Sequence, residues 1–125
     1  TEFELKIWGP HSMTGAKGAE SIPELKPGKD DYVLEKRTYS AFFETPLDTI
    51  LRAHGVTDLV ITGLHTNICD RHTSADAFFR GYNPVLPEDG VDALDEKAHR
   101  DGLEYIRSMY QAEITSADTL LKRWK

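Results

Sequence analysis

Asp58-Leu59-Val60-Ile61-Thr62-Gly63, running into Leu64-His65-Thr66-Asn67-Ile68-Cys69 and then Asp70 to Arg80, is the stretch whose reading decides the fold. Its first part is apolar between Leu59 and Ile61, as a strand covered on both faces should be. The second part reads as a tight turn, capped at Thr66 or Asn67, and the third as a helix that stops at Gly81. Cys69, the only cysteine, therefore falls in the first turn of a helix, just past a strand. Unpaired helix N–H groups and the positive end of the macrodipole favour a thiolate there, which marks Cys69 as a candidate nucleophile.

Outward from this stretch the pattern repeats. Asp31 to Glu35 reads as a strand ending at Lys36. Thr45-Pro46 is a cap followed by proline at the first helical position, predicting a helix from Pro46 to His54 that Gly55 ends. Asn83 to Leu86 is a third strand, and Ala112 to Thr115 a fourth. Asp95 to Tyr110 carries Ala98, Leu103, Ile106 and Tyr110 roughly on one helical face, although Gly102 weakens that pattern. Ser116 caps a last helix reaching Trp124. Residues 9 to 28 are rich in Gly, Pro and Ser and read as loop, with a short helical turn from Ala19 to Leu25 broken at Pro23. Strands alternating with helices predict a mainly parallel sheet in an α/β/α arrangement. Ligands of such folds bind beyond the carboxyl ends of the strands, where Lys36 and Cys69 are both expected.

The 125 residues suffice for one domain with a moderate core, and 39% hydrophobic with 29% charged content is ordinary for a globular chain. A net charge of −6, with no basic cluster beyond Lys122-Arg123, argues against nucleic acid as a partner. One cysteine excludes an internal disulfide framework and suits a reducing, cytoplasmic setting. No apolar run approaches the roughly 20 residues that span a bilayer. The opening Thr1-Glu2-Phe3-Glu4-Leu5-Lys6-Ile7-Trp8 has no initiator Met, so a missing upstream portion is expected.

Three ordered segments resemble the isochorismatase-like cysteine hydrolases. Gly63-x-x-Thr66-x-x-Cys69, with Thr73-x-x-Asp76-Ala77 and Arg80-Gly81-Tyr82, is similar to their nucleophile region. Lys36-Arg37-Thr38-Tyr39-Ser40-Ala41-Phe42, followed by Thr45-x-Leu47, is similar to their lysine segment. Trp8-Gly9-Pro10-His11, then Gly18-Ala19-Glu20, is similar to their metal-histidine loop. Within that superfamily the resemblance is nearest to nicotinamidases and N-carbamoylsarcosine amidases. It implies one isochorismatase-like hydrolase domain over residues 1–125, lacking its N-terminal part and first strand or strands.

The resemblance also implies roles. Cys69 is the nucleophile and Lys36 the lysine of a Cys-Asp-Lys triad, with the aspartate upstream of Thr1. A cis Leu64–His65 bond turns the His65 and Cys69 amides into an oxyanion hole. Trp8 and Tyr39 line the substrate pocket, although both suit an ordinary core. His11 matches one ligand of a zinc or other divalent metal, whose Asp-x-His pair lies before Thr1 in the resemblance; no organic cofactor is implied.

Amide hydrolysis through a thioester follows, with nicotinamide as first substrate and N-carbamoylsarcosine or another ureido acid second. An isochorismatase-type hydrolase and a catalytically silent interaction domain are the other readings. The implied partners are a small amide and further copies of the chain. His72, three residues after Cys69, is a competing papain-like base. Asp70 is a departure, because a carboxylate beside a thiolate opposes its ionisation unless it points to solvent or serves the helix dipole. His54 and His99 read as surface residues, and Asp76 as a packing or hydrogen-bonding residue.

Overall fold

The computed structural model describes residues 2–124. Three parallel strands form the centre: β1 (Asp58–Val60), β3 (Asn83–Pro87) and β5 (Glu113–Thr115), in the order β1-β3-β5. Leu59 faces Pro84 across the first pair, and Leu86 faces Ile114 across the second. Two further short strands, β2 (Gly63–Leu64) and β4 (Val91–Asp92), pair in parallel just beyond β1 and β3. The amides of Ile61 and Gly63, bonded to the Val85 and Gly90 carbonyls at 2.9 and 3.0 Å, carry the pairing from one sheet to the next. This prolonged strand is what brings the chain to His65 and Cys69.

The side chains follow from strand alternation. Leu59, Ile61, Leu86 and Ile114 meet Leu103 and Ile106 of α4 (Glu96–Tyr110), with Val91 and Ala112 completing that core. On the opposite side, Val60 and Pro87 lie with Leu120, Leu121 and Trp124 around α5 (Ala117–Arg123). A second cluster joins Phe42, Ala77 and Tyr82 to Leu47 and Leu51 of α2 (Leu47–Ala53). Helices thus cover both faces of a parallel sheet, in the α/β class that the element pattern predicts. Capping is local: Asp95 Oδ1 accepts from the Ala98 amide at 2.8 Å, and Ser116 Oγ from Thr119 at 3.2 Å. Thr45 caps from one residue further out, its hydroxyl accepting the Leu47 amide at 3.3 Å.

Three expectations are corrected, and one segment without an expected structure acquires one. Asp31 to Glu35 forms no strand: Asp31 is drawn into a turn by the Gly28 amide at 2.7 Å, and Tyr32 and Val33 are exposed. No backbone partner faces it among the described residues, and an unpaired segment is not a strand whatever its propensity. Glu2–Trp8, given no structure by the pattern, is a helix, α1. Pro23 does not break a helical turn but opens one: separate 3-10 turns occupy Lys17–Ala19 and Pro23–Leu25. The nucleophile helix begins earlier than expected, with a wide π-helical turn over Thr66–Asp70 that runs straight into α3 (Arg71–Phe79). His65 O holds this turn, accepting from the amides of Ile68 at 2.9 Å and Asp70 at 3.2 Å.

Candidate active site

The six residues singled out in the sequence, Trp8, His11, Lys36, Tyr39, His65 and Cys69, line one open cleft of about 880 Å3. Cys69 is half-buried on the π-helical turn, and Lys36 Nζ approaches its Sγ to 3.7 Å. The same ammonium donates to Thr38 O at 2.9 Å, which fixes the end of an otherwise exposed side chain. Lys36 therefore reaches the thiol from an extended loop rather than from a strand end. The Leu64–His65 peptide bond is cis.

That loop is fastened to α3, the helix that continues from Cys69. Ser40 Oγ donates to Asp76 Oδ2 at 2.5 Å, and Arg80 Nη1 to Asp76 Oδ1 at 2.5 Å. The Ala41 amide donates to Thr73 Oγ1 at 3.1 Å, and the Arg80 guanidinium lies 4.9 Å from the Phe42 ring centre. Asp76 is thus the hydrogen-bonding residue the sequence suggests, and what it joins are the two segments that carry Lys36 and Cys69. Trp8 Nε1 donates to Tyr39 OH at 3.3 Å, placing the two aromatic residues side by side on the cleft wall.

His72 is engaged elsewhere. Its Nδ1 donates to the Ile68 carbonyl at 2.6 Å, and its ring packs 5.3 Å from that of Tyr39. A backbone carbonyl and an aromatic ring, rather than the thiol, hold it. His54 is exposed and bonds Tyr32 OH at 2.9 Å. His99 is not a surface residue: it is half-buried, with Nδ1 3.0 Å from the hydroxyl of fully buried Thr66. That contact ties α4 to the nucleophile turn. Asp70 is corrected as well. It points neither to solvent nor to a capping amide but is 4% exposed, with Oδ2 buried and unpartnered.

His11 Nδ1 donates to Gly9 O at 2.8 Å, a bond that fixes the tautomer and leaves Nε2 as the acceptor able to meet a metal. Among the described residues, however, no group of three His, Cys, Asp or Glu side chains converges. These residues by themselves do not fit a metal centre, and no chemical step is assigned to one. Pattern reading also passed over Glu4, Arg37, Thr38 and Phe43, which share the cleft. Thr38 Oγ1 donates to Glu4 Oε1 at 2.8 Å, linking α1 to the lysine loop. Thr38 lies inside the quoted lysine segment and was within reach of that reading, whereas Glu4 sits in a stretch with no recognised pattern.

A parallel α/β sheet that presents a thiol beside an ammonium, just past a strand end, defines the class. The chain belongs to the isochorismatase family: the family model described as the Isochorismatase domain matches residues 1–119. It is 45% identical to the N-carbamoylsarcosine amidase of Thermoplasma acidophilum, whose structure superposes with a TM-score of 0.85 over 92% of this chain and 65% of that one. A nicotinamidase structure from Bacillus subtilis matches at 31% identity and a TM-score of 0.80, over 86% of this chain and 63% of that one. The ureidoacrylate amidohydrolase of an Enterobacter species is 40% identical over 107 residues, 82% of this chain and 46% of the relative. The chain spans about half the length of the curated relatives it matches. Among the described residues, no helix is long and apolar enough to cross a membrane.

Proposed function

We propose that this chain carries the thiol and lysine of a cysteine amidohydrolase that releases ammonia from a small N-carbamoyl (ureido) acid. The observation that carries the reading is the Lys36 ammonium 3.7 Å from the Cys69 sulfur inside the cleft. A cation at that distance directly faces the sulfur that would attack the substrate. The thiolate attacks the substrate carbonyl, and the developing oxyanion is met by the amides of His65 and Cys69; donors of this kind contribute about 2.7–4 kcal/mol each to transition-state stabilisation. The C–N bond breaks as the departing nitrogen takes a proton, ammonia leaves, and water hydrolyses the Cys69 acyl intermediate. The triad aspartate implied by resemblance is the acid of these proton transfers.

For the substrate, the sequence alone placed nicotinamide first. Arg37 on the cleft wall reverses that order, because a guanidinium suits the carboxylate of a ureido acid. The similarity to a carbamoylsarcosine amidase and a ureidoacrylate amidohydrolase supports the same choice. Nicotinamide stays as the second reading on one observation, the hydrogen-bonded Trp8 and Tyr39 side chains on the cleft wall, two aromatic groups against which a flat heteroaromatic ring could pack. Homo-oligomeric assembly and a cytoplasmic setting belong to this proposal.

Ammonia release from N-carbamoylsarcosine, ureidoacrylate and nicotinamide, compared in wild type, Cys69→Ala and Arg37→Ala, tests it. Cys69→Ala is expected to lose activity by at least about a thousandfold, the loss typical when a nucleophile is removed. Arg37→Ala should raise KM for the ureido acids and leave nicotinamide unaffected. Wild-type ammonia release by Cys69→Ala overturns the mechanism, and turnover of nicotinamide alone overturns the substrate class.

A further inference from the structure

Lys36 follows a segment that no sheet holds. Its own side chain is exposed, and among the described residues the backbone leading to it pairs with no strand. A long, flexible side chain gives up much rotamer freedom when it is fixed, so other contacts have to aim it. Two residues on, the Thr38 carbonyl accepts from the Lys36 ammonium at 2.9 Å, while the same ammonium stands 3.7 Å from Cys69 Sγ. Thr38 is half-buried, and its hydroxyl donates to Glu4 Oε1 of α1 at 2.8 Å. The same helix holds the next residue, with Trp8 Nε1 donating to Tyr39 OH at 3.3 Å. Glu4 and Trp8 are four residues apart and therefore share one face of α1. That face grips two consecutive loop residues just beyond Lys36. Further along, Ser40 and Ala41 are fastened to α3 through Asp76 and Thr73.

We propose that Thr38 is a positioning residue: tethered by the Glu4 carboxylate, it presents its carbonyl so that the Lys36 ammonium stays beside the Cys69 sulfur. This rests on Lys36 being the lysine that faces the reacting thiol. An ammonium carries three N–H donors on a flexible stem, and here one is spent on Thr38 O while another meets Cys69 Sγ. A backbone carbonyl moves only with its residue, so the place of Thr38 decides where the ammonium is held. What fixes Thr38 is a hydroxyl bonded to a carboxylate, a charge-assisted contact of the stronger kind. Its partners lie 34 residues apart, which makes it a tether between α1 and the loop rather than a local turn. Glu4 and Thr38 both line the cleft, so the tether stands at the site itself.

The test compares alkylation of Cys69 by iodoacetate and by iodoacetamide at one pH, read by mass spectrometry on the single cysteine. Both reagents react with the thiolate, so the ratio of their rates cancels its population and reports the positive charge beside the sulfur. Lys36→Met sets the baseline, and wild type is expected about fivefold above it, the contribution of one unit charge about 4 Å away in a water-like medium. Thr38→Val keeps the branched shape without the hydroxyl and should bring the ratio to within about twofold of that baseline. Thr38→Ser, which restores the hydroxyl, should recover it. A merely structural loss would change both rates alike and leave the ratio in place. A wild-type ratio in Thr38→Val, or no recovery in Thr38→Ser, overturns this inference and leaves the hydrolase reading intact. An inert thiol in wild type, or a Lys36→Met ratio equal to that of wild type, overturns the two together. Should Thr38→Val fail to fold, Glu4→Ala against Glu4→Gln decides. Both remove the carboxylate charge, but only Gln keeps an acceptor for the Thr38 hydroxyl. A lower ratio in Glu4→Ala supports the tether, and equal ratios overturn it.

Discussion

At the residue scale, the burial of Asp70 has a consequence for stability. Its folded carboxyl, raised to about 6 by desolvation, holds a proton that the unfolded chain releases near 3.8. Between those values the folded state binds more protons, so stability falls as the pH rises through the window, and the buried charge exerts its full cost above about 6. Asp70→Asn is therefore expected to stabilise the protein by about 1–2 kcal/mol at neutral pH, allowing for solvent screening, and to confer no gain near pH 4. Urea unfolding of both proteins at the two pH values measures this; a gain that is equal at both, or larger in acid, contradicts the assignment. The candidate site was legible at this scale wherever it is written locally. Cys69, Lys36, His65, His11, Trp8 and Tyr39 each stand in a short ordered motif, and all six reach one cleft. The surroundings of Asp70, which include Lys36, and the Thr66–His99 contact depend on segments far apart in the chain, which no local pattern encodes.

At the level of elements, Gly102 shows why a local rule misled. A glycine inside a helix lowers helical propensity, and the segment Asp95 to Tyr110 looked weaker for it. In the structure Gly102 is buried where α4 crosses the nucleophile turn, and a Cβ there would lie 3.1 Å from both Cα and N of Asn67. The obstacle is backbone, not the end of a flexible side chain. Gly102→Ala gains about 1 kcal/mol of helix propensity and loses about 1–3 kcal/mol to the displacement it forces, for an expected net loss of about 1 kcal/mol. Because Asn67 belongs to the turn bearing Cys69, alkylation of the thiol should slow as well. A higher melting temperature with unchanged alkylation would show that the turn yields freely. The strand readings at 58–62, 83–86 and 112–115 succeeded because those segments are apolar and bounded by turns. Asp31 to Glu35 has comparable propensity and failed, because a strand is a property of a pair.

For the molecule as a whole, the surface is larger than its mass requires. A compact 14.1 kDa monomer is expected to expose about 6,700 Å2, whereas this chain exposes 8899 Å2. Part of the difference is the stretch from 10 to 33, in which every residue is exposed. Part is apolar: Phe79, Leu94, Leu121 and Trp124 are each more than half exposed, and Leu121 and Trp124 border the groove between α5 and the sheet. Composition and net charge announced an ordinary globular chain but carry no information on how its surface is distributed, since shape is absent from them. An excess of about 2,000 Å2 is more than twice the area that each partner buries in a standard protein–protein interface, about 800 Å2. Apolar side chains left in water at this density favour association, each contributing about 25 cal/mol per Å2 covered. This 125-residue chain by itself is therefore expected to sediment as a dimer or larger species at about 10–100 μM, with dissociation on dilution obeying mass action. Because the driving surface is apolar rather than charged, raising the salt concentration should leave the assembly intact. A sedimentation velocity run that finds only monomer across that range, at low and high salt alike, would refute the expectation.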